Sequence, residues 1–211
     1  MAIGLVGSEM CIRDRDNVNK TIIRNYIRYY LRLPIKSEYT IDDMADDGVS
    51  VLDHLNIENA HILGISMGGM IAQIMASSYP EKTKTFTLIA STASTPSPFN
   101  GPSKDVRRLF IERTKNVDAT IEDRVIRTKK LFKLIGYQGI DLDTQEFSDN
   151  VKLSIERGGV DDTGFGRQLT AILGSKNRIE KVRSISAPTL IIHGKEDPLI
   201  LSLIHISEPT R

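Results

Sequence analysis

The chain has 211 residues, which is enough for one domain with a sizeable core. Its 28 Lys and Arg residues nearly cancel its 27 Asp and Glu residues, so a net charge of +1 argues against a nucleic-acid or acidic-membrane partner. No apolar run reaches the length of a membrane span, and the single cysteine, Cys11, excludes an internal disulfide. We therefore expect a cytoplasmic protein in a reducing compartment.

The two ends of the chain are related at the level of DNA. Residues 201–211 can be back-translated into a DNA sequence with codons that the genetic code allows. The reverse complement of this DNA, translated in the frame that starts at its second base, encodes residues 5–14. One DNA sequence in opposite orientations can therefore encode both ends, and it resembles a transposon-end adapter of sequencing libraries. We expect residues 1–15 and 201–211 to be adapter-derived and outside the fold, which removes functional meaning from Cys11 and His205.

The first predicted elements are two helices. Residues 20–33 are rich in Ile, Tyr and Arg and predict a helix that Pro34 ends. A second helix begins after Thr40, which is placed as its N-cap with Asp43 in the capping-box position. Its inward apolar stripe comprises Ile41, Met44, Ala45, Gly48, Leu52 and Leu55. The acidic residues at its start favour the positive helix end and are expected to face solvent, not a metal ion.

The most informative stretch is residues 60–79. Residues 61–65 are apolar and predict a buried strand, whereas residues 68–76 are apolar at helical spacing and stop before Pro80. Gly64-Ile65-Ser66-Met67-Gly68 lies between them and forms a G-x-S-x-G pattern. A strand, a sharp turn and a helix in this order are the setting of a nucleophile elbow.

The spacing of the pattern has a steric and an electrostatic reason. The turn strains the serine backbone so that Oγ of Ser66 projects from the strand end. Glycine is expected at positions 64 and 68, Gly64 and Gly68, because larger side chains there would collide. The N–H groups at the start of the helix point to the same place, where an oxyanion can develop. The structural alternative is an ordinary strand–turn–helix connection with a solvent-facing serine.

The rest of the chain completes an α/β pattern. A strand at residues 85–90 follows the elbow helix, so the alternation predicts a parallel sheet with helices on both faces. No strand candidate occurs over residues 103–183, where helices follow one another and one of them opens with a capping box of Thr120 and Asp123. The last visible strand covers residues 189–193 and is followed by an exit loop.

Residues 39–47, 60–79 and 188–198 together resemble the α/β-hydrolase superfamily. Within it they are most similar to small esterases of the aclacinomycin methylesterase type. The resemblance implies an α/β fold with a parallel sheet, flanking helices and an inserted helical cap, truncated at both ends. The implied divisions are a core with the elbow, a helical cap, and a returning core strand with the catalytic-acid loop, at residues 16–95, 96–183 and 184–200.

The resemblance implies a serine hydrolase that cleaves a carboxylic ester or a related acyl bond of a small apolar molecule, without a cofactor or metal. Ser66 matches the nucleophile, and the N–H of Met67 matches one donor of the oxyanion hole. Asp197 in the exit loop matches the acid that orients the base, with the adjacent Glu196 as second choice. The second oxyanion donor is expected from a loop upstream of residue 16, outside this chain.

The catalytic histidine is the missing member of this set. In the family it lies well downstream of the acid. His54 and His61 lie before the elbow and His193 before the acid, while His205 is too close to Asp197 and falls in the adapter-derived segment. We therefore expect no catalytic histidine in this chain, and we expect the chain itself to be inactive.

Two alternatives stay open at this level. Other chemistries of the superfamily include those of thioesterases, lactonases, C–C hydrolases and cofactor-free haloperoxidases, and fold analogy does not separate them. A non-catalytic, hydrolase-like binding protein is the second alternative. The intact elbow argues against it, because a binding protein does not need strained geometry at Ser66.

Overall fold

The computed structural model of the protein describes residues 15–95, 101–115, 119–158 and 163–200. Its helices are α1 (Arg15–Tyr30), α2 (Ile41–His54), α3 (Met67–Ser78), α4 (Lys104–Lys115), α5 (Ile121–Ile135), α6 (Gln145–Gly158), α7 (Thr163–Leu173) and α8 (Ile179–Arg183). Its strands are β1 (Ala60–Ile65), β2 (Thr83–Ile89) and β3 (Thr189–Ile192). Residues 1–14 and 201–211, which hold most of the predicted adapter-derived sequence, lie outside the described residues.

The three strands form one parallel sheet in the order β1-β2-β3. The register places Ile65 beside Ile89 and Ile89 beside Ile192, so the carboxyl ends of all three strands meet at one edge. The predicted parallel sheet is confirmed. Because β1, α3 and β2 follow each other directly, Ser66 and the residues after β2 emerge together at this edge.

The main core lies between α2 and α3. The apolar side of α2 packs on Met70, Ile74 and neighbouring residues of α3. Thr40 caps α2 as predicted, because its hydroxyl accepts the N–H of Asp43 while the Asp43 carboxylate accepts the N–H of Thr40. The predicted stripe is wrong at Leu55, which caps the C-terminus of α2 and is about half exposed.

The prediction that the elbow strand is buried is wrong for one face of the sheet. The residues of α3 pack on Phe86 and Leu88 of β2, on one side of the sheet. On the other side Leu63 and Ile65 are 50% and 56% exposed, because no helix in the described part of the chain covers them. An apolar run alone does not tell whether both faces of a strand are covered.

Helices occupy the region between β2 and β3, as predicted, and no strand occurs in its described residues. The capping box of Thr120 and Asp123 opens α5, and Gly136 ends it. The boundaries of α1 differ from the prediction, since the helix runs from Arg15 to Tyr30 and the chain turns before Pro34. Helix α1 packs against α7 of the helical region.

Candidate active site

Ser66 forms the turn between β1 and α3. Its φ of 53° and ψ of −120° are unusual for a residue with a side chain, which is the strain that the elbow pattern predicts. Ser66 stands at the N-cap of α3, yet its side chain makes no capping hydrogen bond. Its hydroxyl is therefore not engaged by the helix that follows it.

The polar groups of the Ser66 backbone are held by the exit of β2. The Ser66 N–H donates to the carbonyl of Ile89 at 3.0 Å, and the buried hydroxyl of Ser91 donates to the Ser66 carbonyl at 2.7 Å. The same carbonyl also accepts the N–H groups of Gly69 and Met70, at 3.0 and 3.3 Å. The strained residue is thus fixed from two directions.

The structure supports the steric role of one predicted glycine and corrects the other. A Cβ on Gly64 would lie 2.3 Å from the carbonyl oxygen of Gly68, so this position excludes any larger residue. A Cβ on Gly68 meets no described atom within 4 Å, because Gly68 faces away from the contact between β1 and α3. Gly69 is the second restricted position, since a Cβ there would lie 2.5 Å from Cβ of Ser91.

Met67 is the first residue of α3. The N–H of this first residue has no acceptor within the helix, and it lies at the positive end of the helix dipole. The Met67 N–H therefore follows Ser66 at the positive end of the helix, where the resemblance predicts an oxyanion donor. An anion that develops on an atom bonded to Ser66 Oγ would be stabilised at this helix end.

Asp197 lies in the loop after β3 and is held by local hydrogen bonds. One carboxylate oxygen accepts the N–H groups of Leu199 and Ile200 at 2.8 and 3.0 Å. The other oxygen lies 3.5 Å from Nε2 of His193, and the Asp197 side chain is 11% exposed. Glu196, the second choice for the acid, is exposed. The loop therefore buries the residue that the resemblance assigns as acid.

Ser66 and Asp197 lie at the same edge of the sheet with β2 between their strands. Neighbouring strands are about 4.8 Å apart, so β1 and β3 are separated by about 10 Å. Ser66 and the loop that carries Asp197 therefore follow strands that end at the same edge of the sheet, one strand apart.

His61 and His193 each make a hydrogen bond to a group other than Ser66. His61 is the second residue of β1 and bonds the hydroxyl of Thr85, at about 16 Å of strand length from Ser66. His193 leaves β3, and its Nε2 lies 2.8 Å from the carbonyl of Ile200. Because a carbonyl only accepts, Nε2 carries the hydrogen in this bond. His54 is exposed at the end of α2, and His205 lies outside the described residues.

Three residues near the site were not found by sequence reasoning. Ser91, Gly69 and Arg178 act through contacts between segments that are distant in the chain. Arg178 is almost fully buried, and its burial lowers the pKa of the guanidinium to about 10. In the sequence, residues 91–98 are rich in Ser, Thr and Pro directly after the predicted strand at residues 85–90, and this is the only signal that points to this turn.

Comparison with known proteins agrees with this geometry. A family model described as alpha/beta hydrolase fold matches residues 20–208. The chain belongs to the α/β-hydrolase family. Since that match spans most of the chain, the assignment rests on the elbow, the sheet and the acid loop together.

Relatives within the α/β-hydrolase family act on several substrates. Rhodomycin D methylesterase of Streptomyces peucetius is 25% identical over 175 residues, which cover 76% of this chain and 58% of the relative. The 2-hydroxymuconate semialdehyde hydrolase of a Pseudomonas strain is 28% identical over 174 residues, covering 81% of this chain and 57% of the relative. This α/β-hydrolase chain thus spans just under three fifths of the length of the curated relatives it matches.

Solved structures support the fold. A thermophilic esterase from Thermogutta terrifontis superposes with a TM-score of 0.60 and 17% sequence identity, over 82% of this chain and 60% of the esterase. At this identity the likeness shows the α/β-hydrolase fold alone. In the described residues, no three His, Cys, Asp or Glu side chains cluster as metal ligands would, and no helix is long and apolar enough to cross a bilayer.

Proposed function

We propose that this sequence derives from a serine hydrolase of the cytoplasm that cleaves a carboxylic ester or a related acyl bond in a small, apolar molecule. The observation that carries the proposal is the conformation of Ser66. A non-glycine residue at φ 53° is rare, and here it projects a hydroxyl from the strand end beside the N-terminus of a helix. A binding protein gains nothing from this strain, whereas a nucleophile does.

The roles follow from the positions of the groups. Ser66 attacks the acyl carbon, and the resulting oxyanion accepts the N–H of Met67. A base between β1 and β3 removes the hydroxyl proton and returns it to the leaving group, while Asp197 orients that base and stabilises its charge. Water then hydrolyses the acyl-enzyme and restores Ser66.

The substrate class is supported by the relatives. The methylesterase of Streptomyces peucetius favours a carboxylic ester, and the semialdehyde hydrolase of Pseudomonas keeps a different α/β-hydrolase chemistry as the second candidate. Both would use the same nucleophile at Ser66. No cofactor or metal enters either scheme.

The base is not supplied by this chain under the proposal. In the family the base lies well downstream of the acid, whereas the described histidines all precede Asp197, and His205 falls in the segment expected to be adapter-derived. We therefore propose that the 211-residue chain is inactive. Losing the base costs several orders of magnitude in rate even when the nucleophile stays in place.

The test compares two proteins, namely the 211-residue chain and the protein encoded by the genomic reading frame around residues 16–200. A fluorophosphonate probe should label Ser66 of the genomic protein rapidly, and mass spectrometry of the labelled peptide should locate the adduct. The variant Ser66→Ala is the control and should not be labelled. The 211-residue chain should be labelled slowly or not at all.

Three outcomes would contradict the proposal. Labelling of the genomic protein at another residue would remove Ser66 as nucleophile. A genomic protein with no histidine after Asp197 would favour the non-catalytic binding protein. Rapid stoichiometric labelling of the 211-residue chain would show that the base is present in it.

A further inference from the structure

The turn after β2 contacts the backbone of the elbow. We call residues 90–93 the elbow buttress. Ser91 is its central member, is 1% exposed and donates its hydroxyl hydrogen to the carbonyl of Ser66 at 2.7 Å. The two residues are 25 positions apart in the chain, so this bond is a tertiary contact and not part of a local turn.

The backbone of the elbow buttress is itself strained. Ala90 has a φ of 45°, a conformation that residues with a side chain rarely adopt. Its N–H donates to the carbonyl of Ile192 at 2.9 Å, which ties the turn to the end of β3. Strain at a non-glycine residue persists only where the surroundings enforce it, and it collects at functional sites.

The side chain of Ser91 is also confined by packing. A Cβ on Gly69 would lie 2.5 Å from Cβ and 2.7 Å from Oγ of Ser91. Ser91 is therefore wedged between the elbow carbonyl and the first turn of α3. Its hydroxyl has little room to leave the Ser66 carbonyl.

Arg178 holds the far side of the elbow buttress. Its guanidinium donates to the carbonyl of Thr92 at 2.9 Å and to the side-chain oxygen of Gln73 on α3 at 3.1 Å. Its backbone N–H donates to the carbonyl of Ala93 at 2.8 Å. The turn is thus fixed to the elbow helix as well as to the elbow itself.

The Ser66 carbonyl and the Met67 N–H belong to one peptide group. A peptide group is planar and its C=O and N–H point in opposite directions, so holding the carbonyl also sets the direction of the N–H. A hydrogen bond to the carbonyl further polarises the N–H as a donor. We propose that Ser91 is a positioning residue that aims the Met67 N–H at the oxyanion through the peptide group they share.

This inference rests on the proposed function, since it concerns the same nucleophile. It predicts an effect on the transition state more than on substrate binding, because the oxyanion forms only as Ser66 attacks. Removing a donor outright costs about 100-fold to 1000-fold in kcat, so misdirecting one is expected to cost about tenfold. The pH profile should not change, because Ser91 does not titrate.

The kinetic test uses Ser91→Ala in the genomic protein with p-nitrophenyl acetate as substrate. Ser77→Ala is a matched control, because Ser77 lies on α3 and its hydroxyl also donates to a backbone carbonyl, that of Ile74 at 3.2 Å. We expect Ser91→Ala to lower kcat about tenfold with KM within about twofold, while Ser77→Ala leaves both unchanged. Equal kinetics of the two variants, or a change in KM alone, would overturn the inference.

Amide exchange measured by mass spectrometry tests the positioning without activity. In the 211-residue chain, Ser91→Ala should speed exchange in the peptide over residues 64–70 and leave α2 unchanged, relative to Ser77→Ala. If exchange in this peptide is the same in both variants, Ser91 does not position the elbow.

The two failures are distinguishable. Absence of fluorophosphonate labelling at Ser66 of the genomic protein would sink the proposed function, whereas normal labelling with unchanged kinetics in Ser91→Ala would sink only the inference. If Ser91→Ala does not fold, Ser91→Cys nearly keeps the volume and leaves a weak donor, and it should show the same loss of kcat.

Discussion

The elbow and the acid loop lie at one edge of the sheet but are held in place differently. Ser66 is fixed by contacts from β2, from α3 and from the turn that follows β2, which are separate segments of the chain. Asp197 is fixed by N–H groups only two and three residues further along. The four residues of its strand β3 are all exposed, whereas α3 is buried from Gly69 to Ala76.

The difference follows from the chemistry proposed for each residue. A nucleophile must stay in a conformation that its own backbone disfavours, so the surrounding structure has to enforce that conformation. An orienting carboxylate needs only a buried, hydrogen-bonded position, which a short loop provides. Substitutions near Ser66 should therefore disturb β2, α3 and the turn after β2 together. Substitutions near Asp197 should disturb only the structure of the acid loop.

The largest expected effect concerns the acid loop. In the genomic protein Asp197→Asn should lower kcat by about 10⁴-fold, because an amide holds the base in the wrong tautomer. Glu196→Gln, one position earlier and exposed, should leave kcat unchanged. Steady-state hydrolysis of p-nitrophenyl acetate measures both. A larger loss of kcat in Glu196→Gln than in Asp197→Asn would show that Glu196, and not Asp197, is the acid that orients the base.

The next effect tests the packing of the elbow. Gly64→Ala places a methyl group 2.3 Å from the Gly68 carbonyl oxygen and should lower the free energy of unfolding by about 3 kcal/mol. Gly68→Ala is the matched variant and should be neutral or slightly stabilising, since alanine favours the helix and meets no described atom. Urea unfolding compares the two. Similar losses in both would contradict the contact seen at Gly64.

A third effect tests how the elbow depends on distant segments. Arg178→Met removes the donors to Thr92 and Gln73 and leaves buried acceptors unpaired, so it should cost about 2 kcal/mol. Arg183→Met removes an exposed ion pair with Glu180 and should cost less than about 0.5 kcal/mol. The difference between their urea midpoints is the measurement. Equal midpoints would mean that the bonds of Arg178 contribute nothing net.

The smallest effect tests the local character of the acid loop. His193→Leu removes the hydrogen bond to the carbonyl of Ile200 and should cost about 1 kcal/mol. Faster amide exchange should be confined to the loop around Leu199. His61→Leu removes a comparable but exposed bond to Thr85 and serves as control. If His193→Leu also speeds amide exchange in the peptide over residues 64–70, the acid loop and the elbow are not held in place independently.

The sequence predicted the order of the elements and the elbow itself. The capping boxes at Thr40 and Thr120 were read correctly because they depend on residues three positions apart. The strained backbone at Ser66 was predicted from the G-x-S-x-G spacing for the same local reason, and its φ of 53° agrees with it. The parallel arrangement of the strands followed from their alternation with helices.

Errors arose where the outcome depended on a neighbour outside the local segment. Gly68 was assigned a steric role that belongs in part to Gly69, since only the packing of α3 on the exit of β2 shows which glycine meets a side chain. Leu63 and Ile65 were expected to be buried, but exposure depends on what covers each face of the sheet. The roles of Ser66, Met67 and Asp197, and the origin of residues 1–15 and 201–211, remain predictions.

The sequence alone therefore determined the α/β pattern, the caps and the sharp turn at Ser66, because these are set by φ/ψ preferences and hydrogen bonds within a few residues. Only the tertiary structure decided that Ser91 holds the elbow carbonyl and that Arg178 fixes the turn behind it. These contacts join residues 25, 86 and 105 positions apart, and such separations leave no periodic signal in the chain. The conformation of Ser66 depends on residues close to it in the sequence, whereas the groups that hold it in place come together only in the folded chain.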